Sequence, residues 1–204
     1  MTDSYQVPSA ELVIEEEIKH SRFISVLFRC QSYEELKCVL TNVKADYPGA
    51  NHYCYAFVAA EPQNSIAIGS SDDGEPAGSA GRPMLATLQG ANIGEIGAIV
   101  VRYFGGTKLG VGGLVRAYSS GIKQGLIQLQ TELKQIRYPG SLVCEYSQLK
   151  DVEYLLSQYD AIVEDRVFTE KVTLEFEIPK RYQDALNLGL ATMSQGSLSA
   201  KFKS

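Results

Sequence analysis

Apolar and polar residues alternate twice near the start of this chain, first through Leu12 and Ile14 and then through Phe23, Ser25 and Leu27. A period of two marks a half-buried strand. Strands are therefore expected over about 10–17 and 22–30, joined by Lys19-His20-Ser21-Arg22. The period then changes. Ser32 with Glu35 three positions on forms a capping box, and Leu36, Val39, Leu40 and Val43 follow at helical spacing until Tyr47-Pro48-Gly49 stops them. Strands at about 52–60 and 64–69 come next, around the turn residues Glu61-Pro62-Gln63-Asn64. Pro83 near a start and Gly90 at an end predict a short helix. The run Ile96, Ala98, Ile99, Val100, Val101 lies in a stretch, Glu95 to Tyr103, that reads as a buried central strand. Leu114, Val115, Tyr118, Ile122, Leu126 and Leu129 then predict a helix over about 112–130.

A polar stretch from Gln130 to Arg137 and a turn at Tyr138-Pro139-Gly140 separate this half from the next. Strand (141–146), helix (147–158), strand (161–168), strand (170–178), helix (179–192) and strand (196–203) are expected beyond it. That order is βαββαβ, the ferredoxin-like pattern. The fold class is thus α+β in two domains, 1–133 and 139–204.

Composition narrows the function classes. The chain is 204 residues long, 45% hydrophobic and 21% charged, within ordinary globular usage. A net charge of −5 gives no global attraction to nucleic acid, though a local basic face stays open. Cys30, Cys38, Cys54 and Cys144 have no CxxC spacing and His20 and His52 are the only histidines, which argues against a zinc finger or ribbon. Reduced core cysteines are the expectation for three of the four. No basic start with an apolar run opens the chain, and no apolar stretch is long enough to span a bilayer. The expectation is a cytoplasmic protein with no membrane partner.

Glycine locates the candidate chemistry. Fourteen of the 18 glycines fall between Gly69 and Gly125. Two polar-glycine segments lie there, Asp72 to Pro83 and Arg102 to Gly113. The second follows a strand and opens a helix, so unpaired amides and the helix dipole both suit an anion. Gly105, Gly106, Gly110, Gly112 and Gly113 would present amides; Arg102, Lys108 and Arg116 would supply charge, with Arg22 joining from the first hairpin. Neither phosphate motif is complete, since Val111 follows Gly110 and Val115 stands where a dinucleotide fingerprint needs glycine. A tight structural connection remains the alternative. Asp72, Asp73 and Glu75 could order their own loop, as aspartates in Asp-Gly turns do, or weakly hold Mg²⁺. No metal, cofactor or catalytic residue is assigned from them. His52 could be a general base, but no nucleophile elbow accompanies it.

Three stretches carry a family likeness. Ser71-Asp72-Asp73-Gly74-Glu75-Pro76-Ala77-Gly78-Ser79-Ala80-Gly81-Arg82-Pro83-Met84-Leu85, then Val100-Val101-Arg102-Tyr103-Phe104-Gly105-Gly106, then Leu109-Gly110 and Gly112-Gly113-Leu114-Val115-Arg116-Ala117-Tyr118 resemble the IMPACT/YigZ family. Lys19-His20-Ser21-Arg22-Phe23 fits its early segment. The likeness spans essentially the whole chain and is nearest to the bacterial two-domain form. It implies an N-terminal domain like the second domain of ribosomal protein S5 and a C-terminal domain like the last domain of elongation factor G. That domain pair in turn implies the ribosome or a structured RNA as partner. Eukaryotic relatives act through protein contacts on a translation-starvation kinase pathway.

Three readings follow. The first is a non-enzymatic RNA- or ribosome-binding protein linked to translational regulation. The second is a protein–protein adaptor docking through Tyr103 and Phe104. The third is a Mg²⁺-dependent enzyme acting on a phosphorylated substrate.

Overall fold

A computed structural model describes residues 4–203. The described residues divide into two compact units, one of residues 5–134 and one of residues 135–203 together with Ser4. The first runs β1 (Ser4–Pro8), β2 (Leu12–Ile18), β3 (Ser21–Arg29), α1 (Tyr33–Asp46), β4 (His52–Val58), β5 (Ile68–Ser71), α2 (Gly81–Gln89), β6 (Ile96–Tyr103), α3 (Val111–Gln128) and β7 (Thr131–Gln135). The second continues with β8 (Tyr138–Cys144), α4 (Leu149–Gln158), β9 (Ile162–Phe168), β10 (Val172–Ile178), α5 (Gln183–Met193) and β11 (Lys201–Phe202). The architecture is mixed α+β.

Five antiparallel strands in the order β2-β3-β6-β4-β5 form the sheet of the first unit. Its two faces make two cores. Phe23, Leu27, Ala56, Ala98 and Val100 pack against Met84 and Leu88 of α2 and Leu114, Tyr118 and Ile122 of α3. Ile24, Val26, Ile99 and Val101 pack with Leu36 and Val43 of α1 on the other side. β6 lies mid-sheet between these layers, and only Tyr103 at its end escapes burial. That explains its unbroken apolar run: both faces need apolar side chains.

The capping box of α1 forms on the Ser32 side, where Oγ accepts the Glu35 N–H at 3.1 Å. Two strands have no counterpart in the sequence expectation. β1 and β7 pair in a separate two-stranded sheet. β7 has exposed and half-buried positions only, so no apolar alternation marks it in the polar stretch after Leu129.

Four strands form the second sheet, in the order β11-β8-β10-β9 with every pair antiparallel. Its apolar face, Leu142, Cys144, Val172, Leu174, Phe176 and Ile178, packs on Leu156 of α4 and Leu186 and Leu190 of α5. Tyr138-Pro139-Gly140 belongs to β8 rather than to a turn. Proline is tolerated because its carbonyl and its missing N–H face the β11 side, where that short edge ends; the Pro139 carbonyl accepts the Lys203 N–H at 3.0 Å. The last strand covers two residues, not the eight expected, since pairing with β8 starts only at Lys201.

The open face of this second sheet carries carboxylates on β9 and β10 and Lys201 and Lys203 at its β11 edge. Asp165 sits directly across from Glu175, and Glu177 follows on the same strand face. Like charges placed opposite each other destabilise a sheet pair. Glu175→Lys is expected to raise the stability of the chain by roughly 0.5–1 kcal/mol. Chemical denaturation checks this, and a loss of stability would contradict the assigned register.

Candidate functional site

Asp72 organises the loop between β5 and α2. Its Oδ2 accepts the Gly78 N–H at 2.8 Å, and its Oδ1 accepts those of Ala80 at 3.0 Å and Gly81 at 2.8 Å. Residue 80, at the cap position of α2, has no side chain able to cap the helix, so a carboxylate eight residues back does that work. Burial would raise the Asp72 pKa, but the three N–H donors and nearby Arg82 bring it below the ordinary value. Glu95 is alike. Burial opposes its charge, while Lys134, Arg29 and Tyr5 hold its carboxyl low. A depressed carboxyl stabilises the fold fully above its unfolded pKa, about 4. That contribution is lost as pH falls through the folded value. Stability should therefore drop below about pH 4. In Asp72→Asn, thermal melts should show a lower neutral-pH plateau and a shallower acid limb; an unchanged acid limb would remove Asp72 from the account.

Asp73 takes a different direction. It adopts a left-handed φ of 41°, its Oδ2 accepts the Tyr53 N–H at 2.7 Å, and its carbonyl lies 2.8 Å from His52 Nδ1. Glu75 turns inward, with its side chain only 4% exposed. Its Oε1 accepts Arg102 Nη1 at 2.5 Å and the Tyr118 hydroxyl at 2.7 Å, and His52 Nε2 stands 3.8 Å away. Strand register brings the partners together. Phe23 of β3 and His52 of β4 flank Arg102 of β6 in one cross-strand row, on the face that α3 covers with Tyr118. The Arg102 guanidinium also sits 5.4 Å from the Phe23 ring centre and 5.5 Å from that of Phe104. Burial, then Cys54 and Glu75, push the Tyr118 hydroxyl well above its usual range, so it serves as a donor. Burial likewise raises the Cys54 thiol to about 12. At neutral pH that sulfur is a thiol, which donates to the Asp72 carbonyl at 3.0 Å and is no nucleophile.

The second glycine segment closes over this cluster. Gly105 packs so tightly on the β2–β3 turn that a Cβ there would fall 1.9 Å from the His20 carbonyl oxygen. Its own N–H donates to Ser21 Oγ at 3.2 Å, and the Phe104 N–H donates to Asn51 Oδ1 at 2.8 Å. Gly110, with φ of 74°, then starts α3 without any side-chain cap. The first-turn amides of an uncapped helix have no intrahelical acceptor. Together these segments border an open cavity of about 470 Å³. Glu75 and Arg102 form its floor; Lys108 and the start of α3 border it; Pro76, Phe104, Leu109 and Leu114 give it apolar walls.

The structure places the candidates unequally. Arg102, Lys108 and Gly110 meet at the cavity. Arg102 is not a free surface charge, however, since Glu75 neutralises it and its side chain is 6% exposed. The Gly105 amide is taken by Ser21 and faces no ligand. Arg22 is exposed and paired to Glu15 across the β2–β3 ladder, at 2.6 and 2.9 Å, outside the cavity lining. Gly106 lies in open space with φ of 84°. Gly112 and Gly113 lie in the first turn of α3 and Arg116 in its second, where its Nε donates to the Gly112 carbonyl at 3.1 Å. Asp72, Asp73 and Glu75 point three ways, and among the described residues no group of three His, Cys, Asp or Glu side chains gathers to hold a metal. Sequence reasoning missed Asn51 and the roles of Ser21 and Tyr118. A lone arginine ending an apolar central strand was the available signal, because a buried cation demands a buried carboxylate.

The comparisons with known proteins fit this arrangement. The Impact N-terminal domain matches residues 19–126, and a domain of unknown function, DUF1949, matches 142–197. The IMPACT family member YigZ of Escherichia coli is 44% identical over 196 residues, 96% of both chains. The chain belongs to the IMPACT family. Another IMPACT family member, YvyE of Bacillus subtilis, is 31% identical over 94% of this chain and 85% of its own. A crystal structure described as that of a hypothetical protein superposes with a TM-score of 0.80 at 42% identity, covering 100% of this chain and 99% of the other. The Impact match contains the whole cavity and the buried Glu75–Arg102 pair. Among the described residues, no helix is long and apolar enough to cross a membrane.

Proposed function

We propose that this IMPACT-family chain is a non-enzymatic binding protein of the translation apparatus that engages RNA, on the ribosome or free, through a phosphate seated at the start of α3. One observation carries the reading: Lys108, the uncapped end of α3 and buried Arg102 converge on a single cavity. A helix N-terminus favours an anion, and Lys108 adds an exposed cation on the cavity wall. The finer fold reading belongs with it. The first unit is taken as S5 domain 2-like, and the second, from its strand order and βαββαβ succession, as ferredoxin-like in the manner of elongation factor G. The contact is assigned to the first unit, which holds the cavity. A cytoplasmic location accompanies this reading.

An adaptor reading draws on the exposed Phe104 and Val111 at the cavity. Salt separates the two, because phosphate contacts weaken steeply with ionic strength while apolar contacts do not. Ribosome co-sedimentation is expected to be salt-sensitive and to be lost in Lys108→Glu, with the melting temperature unchanged since Lys108 is exposed. No pelleting at any salt would overturn the RNA reading.

A further inference from the structure

Resting on that reading, we infer that the cavity takes one unstacked nucleotide of single-stranded RNA, with its phosphate at Lys108 and the first turn of α3 and its base against Phe104. The volume of about 470 Å³ lies low in the usual range for small-ligand sites and suits one nucleotide. A bare phosphate would leave most of that space, and its walls of Pro76, Phe104, Leu109, Val111 and Leu114, unoccupied. A duplex would keep its bases out of reach, whereas single-stranded RNA is read through bases stacked on aromatic rings. Phe104 presents such a ring, 45% exposed and lining the cavity.

The floor supplies what a base edge needs. Arg102 is buried, yet its Nε has no hydrogen-bond partner. Such an orphan donor calls for an acceptor. Beside it, both hydrogen bonds to Glu75 fall on Oε1, and Oε2 receives none among the described residues. An unpaired donor and an unpaired acceptor thus belong to two residues that line the cavity, the two kinds of group that hydrogen-bond a nucleobase edge.

Calorimetric titration of the full chain with AMP, GMP, CMP and UMP tests this, alongside inorganic phosphate, the four nucleosides and a phosphoserine peptide. At least one nucleotide should bind about tenfold or more tightly than inorganic phosphate and than its own nucleoside. Phe104→Ala should weaken that nucleotide by roughly tenfold and leave inorganic phosphate unaffected, with the melting temperature kept. Binding no tighter than inorganic phosphate, equal affinity for the phosphoserine peptide, or an unchanged Phe104→Ala variant would each overturn the inference. Ribosome pelleting of the same preparations separates it from the reading beneath it. Pelleting without nucleotide binding ends the inference alone; nucleotide binding without pelleting ends the ribosomal assignment and leaves the pocket.

Discussion

Glu75→Ala is expected to destabilise the fold by about 3–5 kcal/mol, because it strands the Arg102 guanidinium inside the protein without its counter-charge. Arg102 is 6% exposed and its second donor, toward Ser21 Oγ, is already long at 3.5 Å. The Tyr118 hydroxyl would lose its acceptor in the same stroke. Equilibrium urea unfolding reads the loss. A loss under about 1 kcal/mol would mean that the pair is hydrated rather than buried. Removing both charges should do less harm than removing one. Glu75→Leu with Arg102→Met is therefore expected to recover most of the stability, since apolar groups of similar size replace buried pairs at little cost. The double variant also keeps α3 and Lys108 in place, so any change in its ligand binding reports on the cavity floor.

Gly105→Ala should cost about 3 kcal/mol, at the upper end of overpacking. The added methyl would meet the carbonyl carbon and oxygen of His20 at 2.0 and 1.9 Å and the Ser21 nitrogen at 2.6 Å. All three are backbone atoms of the β2–β3 turn, where Lys19 and His20 already hold left-handed φ values of 49° and 65°. Such a turn cannot swing aside as a flexible side chain could. Gly112→Ala is the contrast. No atom lies within 4 Å of a Cβ at that helical position, so alanine should stabilise by about 0.5–1 kcal/mol. Thermal melts of the pair decide. A Gly105→Ala protein melting like wild type would contradict the close packing of the loop on the turn.

Gly105 and Gly110 show how far the sequence could be read. Clustering and the strand-loop-helix order pointed to the Arg102–Gly113 segment, but composition could not separate a glycine required by packing, Gly105, from one that opens a helix, Gly110. Period-two and helical spacing marked β2, α1 and α3, because each buries one stripe or one face, whereas β3 buries both faces and does not keep the alternation expected through Phe23, Ser25 and Leu27. β1 and β7 left no such trace, since a two-stranded ribbon has little face to bury. The candidate site was legible in its parts and not in its pairing. Arg102 looked like surface charge beside Lys108, and Glu75 like a loop carboxylate beside Asp72. Only the register of β3, β6 and β4, with α3 laid across them, turns both inward toward Tyr118. Residues 27 positions apart carry no local signal of an ion pair.

The most direct test of the phosphate claim is the salt dependence of binding to a short single-stranded RNA, wild type against Lys108→Ala. On this account log affinity falls linearly with log salt, and the slope for the variant is smaller by about one. Parallel lines, or binding insensitive to salt in both proteins, would contradict a phosphate at the start of α3.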